Sequence, residues 1–202
     1  MKQSALAFSL HFLSRLFRLF HPMGRTLRRL VYTARFMAHV KKAAPSTQCD
    51  GPVRFIGTGR ITLGKQCRFG RECEFTTEEK GEILLGDNIR LNRGVTLTSY
   101  AQVRIGSFTI VGEFASIRDA NHGMEMGTPM RLQPHTSSPI TIGRDVWIGR
   151  GSCILPGVTI GDGAIIGANS VVTHDIPSHT IAAGAPARIL QAREKSLPPA
   201  AR

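Results

Sequence analysis

Residues 119–123 read Asp119-Ala120-Asn121-His122-Gly123, and His122 is the side chain of this chain best suited to moving a proton. An imidazole titrates near about 6.5, so at neutral pH it can accept a proton from a hydroxyl and release it again. A loop histidine taken alone is more often simply solvated. Asp119 and Glu125 flank it as candidates to orient the ring, and Arg131 and His135 follow as candidates to meet an anion; all four are equally ordinary loop residues. No serine or cysteine stands beside a His–acid pair in this stretch, so no covalent nucleophile is offered. Cys49, Cys67, Cys73 and Cys153 show no metal or redox spacing.

The elements that must position His122 are written as a repeat. Apolar residues recur in five triplets with a step of six: Leu63, Phe69, Phe75; Leu85, Leu91, Leu97; Ile105, Val111, Ile117; Ile142, Ile148, Ile154; and Ile160, Ile166, Val172. A step of six fits neither an amphipathic helix (about 3.6) nor one alternating strand (about 2). It fits a coil of three short strands that returns every eighteen residues, with anchors of successive coils stacked at about 4.8 Å. Glycine commonly follows the anchor (Gly64, Gly70, Gly86, Gly106, Gly112, Gly143, Gly149, Gly161, Gly167), which predicts a sharp corner with positive φ. Four residues after the anchor a small or β-branched side chain fills the narrow interior, as at Cys67, Val95, Thr109, Ala115, Val146, Ser152, Val158, Ala164 and Ser170. Cys67 and Cys73 are therefore buried structural thiols in this reading. Extra residues enter only after Phe75, Leu97 and Ile117, all at one corner, and His122 opens the longest of these excursions. An antiparallel sandwich gives no reason to keep such a step.

The Ile-Gly-x-x-small-x pattern over residues 55–190 resembles the hexapeptide-repeat acyltransferases. The resemblance implies an all-β fold, a left-handed parallel β-helix of hexapeptide repeats with an N-terminal α-helical arm; the handedness comes from it alone, since ordinary crossovers run the other way. Asn-His-Gly followed by a loop and Ser-Pro-Ile-Thr-Ile-Gly is similar to the motif of the galactoside and maltose O-acetyltransferases. It makes His122 the general base that takes a sugar hydroxyl's proton during direct transfer from acetyl-CoA. Asn92, thirty residues earlier, matches the family position that holds the acceptor; a corner residue in left-handed backbone is the alternative.

The run from Ser138 to Leu190 resembles the acetyl-CoA-binding half of the family. Trp147 follows a small-residue slot and so points outward, where the resemblance has it against the pantetheine arm. Gly149, Arg150, Ala168, Thr173 and His174 continue that binding surface, and Arg188, in Gly184-Ala185-Pro186-Ala187-Arg188, would meet a phosphate of the nucleotide. Arg150 stands where a small residue is commoner and His174 where a lysine is usual. The family places its sites between subunits of a homotrimer and needs no metal. A metal-dependent carbonic anhydrase on the same fold would need three grouped histidines, and His122, His174 and His179 lack the expected grouping.

The formal charge of +12 is uneven: nine of the 26 Lys and Arg, and none of the 14 acidic residues, lie in residues 1–49. This arm reads as two amphipathic helices broken at His21-Pro22-Met23-Gly24. Leu6, Leu10, Leu13, Phe17 and Phe20 share a face of the first; Leu27, Leu30, Val31, Ala34 and Met37 share a face of the second, opposite Arg25, Arg28, Arg35, His39 and Lys42. Arg15 and Arg18 interrupt the apolar run before it reaches the roughly twenty residues of a membrane span. Contact of residues 1–42 with an anionic membrane surface, capping of the solenoid's open edge and a targeting peptide are the competing expectations, the last opposed by Arg15 and Arg18 behind the apolar stretch. No nucleic-acid motif accompanies the charge. The organisation expected is 1–49 arm, 50–190 transferase solenoid and 191–202 tail.

The expectation is thus an acetyl-CoA-dependent O-acetyltransferase acting on a saccharide, in the cytoplasm or peripheral at the inner face of the cell membrane, with a lipid-linked O-antigen or capsule precursor suggested by the arm. An acetyltransferase for serine or an antibiotic hydroxyl and a non-catalytic β-helix scaffold are the alternatives. The scaffold would have no need of His122, Trp147 or the closing Pro-Ala-Arg.

Overall fold

The six-residue step becomes a three-faced prism of stacked coils. The computed structural model describes residues 24–194 except 25 and 79. The first face stacks Ile61–Leu63, Glu82–Leu85, Gln102–Ile105, Ile140–Ile142 and Thr159–Ile160 in parallel. The second begins with Gln48–Cys49 and continues through Arg68–Phe69, Arg90–Leu91, Ile110–Val111, Trp147–Ile148, Ile165–Ile166 and Thr180–Gly184, closed by the antiparallel strand Ala187–Ala192. The third stacks Arg54–Gly57, Glu74–Thr77, Thr96–Ser99, Ser116–Arg118, Cys153–Ile154 and Val171–Val172.

Register follows the anchors. Leu63, Leu85, Ile105, Ile142 and Ile160 form one column. Phe69, Leu91, Val111, Ile148 and Ile166 form the second. Phe75, Leu97, Ile117, Ile154 and Val172 form the third. All are buried, as are the small residues between them. Burial pushes the Cys73 thiol up to about 11 and, with the nearby Cys73 sulfur, the Cys49 thiol up to about 12. The Cys67 and Cys73 sulfurs sit 3.2 Å from Gly86 O and 3.1 Å from Asn92 O.

One expectation is corrected. The glycines after the anchors do not carry positive φ; that conformation falls on the third residue after every anchor of the first and second faces, at Gln66, Glu72, Asn88, Phe108, Phe114, Asp145 and Asn169 (φ +54° to +67°) and at Gly94, Gly151 and Gly163, and on the third face after Ile154 alone, at Gly157. Glycine is needed beside the anchor because the next coil presses on it. A Cβ at Gly70 would stand 2.6 Å from Arg93 N, and one at Gly106 would stand 2.6 Å from Gly143 C.

Residues 26–37 form a helix that plugs the first coil. Phe36 is buried against Phe55, Phe69 and Phe75 at ring distances of 5.2, 5.0 and 5.7 Å. Thr33 Oγ1 accepts a hydrogen bond from Cys49 N at 3.0 Å, and Arg29 Nε donates to Asp50 at 2.8 Å. Edge capping is therefore what this helix does. Its buried face is Tyr32, Phe36 and Met37, whereas Leu27 and Leu30, each 63% exposed, and Val31 face away. The reason is the aromatic cluster: Phe36 completes it, and the aliphatic stripe cannot. The first apolar stretch, Leu6 to Phe20, lies outside the described residues. Among the described residues no helix is long and apolar enough to cross a membrane.

Candidate active site

His122 leaves the corner between the third and first faces, hereafter the third corner. It ends the strand Ala120–His122, which pairs antiparallel with His135–Ser137 so that His122 opposes His135. The two rings lie 4.4 Å apart, and His135 packs in turn on Tyr100 at 4.6 Å. His122 is exposed at the outer end of this stack, and His135 and Tyr100 are half-buried behind it.

The root and tip of the excursion are both fixed. Asp119 is fully buried and accepts hydrogen bonds from Ser99 Oγ (2.8 Å), Tyr100 N (2.7 Å) and Ala101 N (3.0 Å). Those partners are on the preceding coil, so Asp119 joins the hairpin's root to the solenoid rather than touching the His122 ring. At the tip, Gln133 Oε1 accepts from Glu125 N (2.9 Å), while its Nε2 donates to the carbonyls of Glu125 (2.8 Å) and Thr128 (2.6 Å). Gly123 N donates to Pro134 O at 3.0 Å. The excursion is a built element with His122 at a defined point. Glu125 and Arg131 are exposed beyond it.

The other candidates divide between two corners. Asn92 stands between the second and third faces, at the second corner, and its Nδ2 donates to Glu113 Oε1 at 3.0 Å. Gly149, Arg150 and Ala168 follow along the same corner, with Trp147, 55% exposed, on the adjoining second face. Arg188 opposes Ala183 in the closing hairpin, above Gly167 of that corner. Thr173 and His174 lie instead at the third corner, past the Val172 anchor, and are joined by a 2.8 Å contact between Thr173 Oγ1 and His174 Nδ1. His122 and Asn92 are thus not brought together within the chain. The third face separates them, and the strand Thr96–Ser99 alone spans roughly 10 Å.

The sequence reading missed the Tyr100–His135–His122 stack, the Asp119 anchor and the Gln133 clamp. Asp119 offered a signal, since a carboxylate two residues past an anchor sits where the chain leaves the prism. Among the described residues no group of three His, Cys, Asp or Glu side chains is arranged to hold a metal.

Comparison with known proteins agrees with the fold. The family model for the bacterial transferase hexapeptide (six repeats) matches residues 139–174. The chain is 34% identical over 148 residues to the putative lipopolysaccharide biosynthesis O-acetyl transferase WbbJ of Escherichia coli K12, covering 69% of this chain and 76% of that protein. It is 38% identical over 109 residues to the galactoside O-acetyltransferase of the same organism, about half of each chain (54% and 53%). Among solved structures, the hexapeptide-repeat acetyltransferase VCA0836 of Vibrio cholerae, complexed with acetyl coenzyme A, superposes with a TM-score of 0.59 at 24% identity, over 81% of this chain and 76% of that one. AntD, an N-acyltransferase of Bacillus cereus solved with dTDP and 3-hydroxybutyryl-CoA, gives 0.70 at 19% identity, over 80% and 88%. The stacked six-residue coils and the extent of the WbbJ match lead to one conclusion: the chain belongs to the hexapeptide-repeat acetyltransferases and is an enzyme of acyl transfer.

Proposed function

We propose that this acetyltransferase uses acetyl-CoA to O-acetylate a saccharide, with a lipid-linked or surface-polysaccharide precursor as acceptor. The observation that carries the reading is His122, exposed at the end of a hairpin whose root and tip are both hydrogen-bonded. In this reading His122 takes the proton of an acceptor hydroxyl as that oxygen bonds to the thioester carbonyl carbon. The C–S bond breaks, and CoA leaves as the thiol with the proton His122 returns. His135 and Tyr100 keep the imidazole facing outward while this happens.

The residues present fit the donor. Trp147 offers an exposed aromatic face to an aliphatic arm, and the exposed Ala168 is stacked on the buried Gly149 beside it. Arg150 and Arg188 are exposed cations with no ion pair among the described residues, suited to phosphates. Thr173 and His174 complete the set. Asn92 offers its amide to the acceptor.

The split between the two corners supports a homotrimer wound left-handed, as the family resemblance implies. One copy's second corner would meet a neighbour's third corner and join the halves of the site. The name of the WbbJ relative supports a surface glycan as acceptor. The exposed Leu27, Leu30 and Val31, beside Arg28 and Arg35, support contact of residues 1–42 with an anionic membrane surface at the cytoplasmic side.

The test is CoA thiol release with a panel of free, nucleotide-linked and lipid-linked sugars, with His122→Ala as control. Acetyl transfer to none of them, or a His122→Ala rate close to the parent's, overturns the reading. Sedimentation with anionic vesicles tests the membrane contact, and indifference of the full chain removes it.

A further inference from the structure

Below Asn92, the second corner carries a ladder of arginines that acyl transfer does not use. Arg68 and Arg90 are direct neighbours across the parallel strands, and Arg71 and Arg93 occupy equivalent positions just past the corner. Like charges stacked at strand spacing oppose folding unless anions meet them. Two of the four are met. Arg68 Nε and Nη2 donate to Asp50 at 2.8 and 3.1 Å, and Asp50 is shared with Arg29. Arg93 pairs with Glu72 at 2.8 Å and lies over the Phe114 ring at 5.6 Å.

Arg71 and Arg90 have no ion pair among the described residues. Both line a cavity of about 250 Å³ that also includes Asn92 and Glu113. Four guanidiniums face two carboxylates there, Asp50 and Glu113, and Glu113 is engaged by Asn92. The outcome is a positive pocket with two free forks, each able to grip an oxyanion through paired N–H groups.

We propose that this pocket binds a phosphate or diphosphate carried by the acceptor sugar, held by Arg71 and Arg90 beside Asn92. The inference rests on the saccharide reading and narrows it to sugars bearing an anionic leash. A nucleotide-linked sugar and a polyprenyl-linked sugar share that chemistry. Neutral free sugars lack it.

Calorimetric titration with inorganic pyrophosphate tests the site apart from turnover. The parent should bind, and the Arg71→Ala/Arg90→Ala double variant should lose at least about tenfold in affinity, the worth of one charge-assisted contact. Arg104→Ala, an exposed arginine on the first face, should bind like the parent. UDP-glucose and farnesyl diphosphate are then compared: whichever shows the larger loss in the double variant identifies the linked group. A parent that binds no pyrophosphate, or a double variant that binds as well as the parent, overturns the site whatever His122→Ala does. Pyrophosphate binding together with undiminished turnover in His122→Ala leaves the site standing and overturns the catalytic reading instead.

Discussion

The second and third corners of the prism share a six-residue step but differ in what they admit. At the second corner the residue after the anchor is Gly70, Gly112, Gly149 or Gly167, with Asn92 in place of a fifth glycine. At the third corner the same slot holds Thr76, Thr98, Arg118, Leu155 and Thr173. Where glycine stands, an atom of the next coil would lie 2.5–2.7 Å from an added Cβ, too close for any other residue without a shift. Where it is missing, the slot carries a side chain, and all three excursions leave there. The second corner supplies a closely stacked surface; the third supplies the loop that bears the imidazole.

The largest effect should come from the third corner. His122→Ala is expected to lower kcat by about 10²–10⁴ with its melting temperature unmoved, measured as CoA release. A loss below about tenfold would break the assignment of chemistry to this corner. Asp119→Ala should act on both rate and stability. It strands Tyr100 N and Ala101 N, at about 1–3 kcal/mol for each donor that water fails to satisfy, while Ser99 Oγ keeps Glu82 O at 3.1 Å. Thermal melting and kcat should fall together, and an unchanged melting curve refutes the anchor.

Gly112→Ala sharpens the contrast directly. Its Cβ would stand 2.5 Å from Arg150 N, and the overpacking should cost about 1–3 kcal/mol. Arg118→Ala, in the matching slot of the third corner, should cost under about 0.5 kcal/mol. Equal costs in denaturant titration would dissolve the distinction between the corners. His135→Ala should lower kcat by about three- to tenfold through loss of the ring stack, and His135→Phe should restore most of it with KM for acetyl-CoA unchanged.

The smallest effect lies at the foot of the second corner. Burial raises the Asp50 carboxyl, but its hydrogen bonds to Arg68 and Arg29 and their charges outweigh that and hold it below the usual range. A depressed carboxyl stabilises the fold above its unfolded-state value, and the contribution fades as pH falls through the folded one. Asp50→Asn should therefore flatten the decline of melting temperature below about pH 4. A parent and variant with parallel acid profiles would contradict it.

Much of this was legible in the chain. The anchors repeat at a step no other common element uses, so their columns, the small interior slots and the corner of the insertions could be read directly. The family motif marked His122. What escaped depends on register between distant segments. His122 and His135 meet because the excursion folds back as a hairpin, and the Gln133 clamp that shapes it has no periodic signal. Arg68 and Arg90 are 22 residues apart rather than eighteen, because the excursion after Phe75 intervenes. The helix has apolar residues on two sides, and only the cluster of Phe55, Phe69 and Phe75 decides that Phe36 is the one that docks.

That docked phenylalanine has a further consequence. Each coil touches only the coils above and below it, so the stack melts as a zipper whose stability is set at its termini. Phe36 seals one terminus with aromatic packing, while the other is covered by the Thr180–Gly184 and Ala187–Ala192 hairpin, whose last strand is largely exposed. Fraying should start from the carboxyl end, and amide exchange should be slowest in the coils beneath the plug.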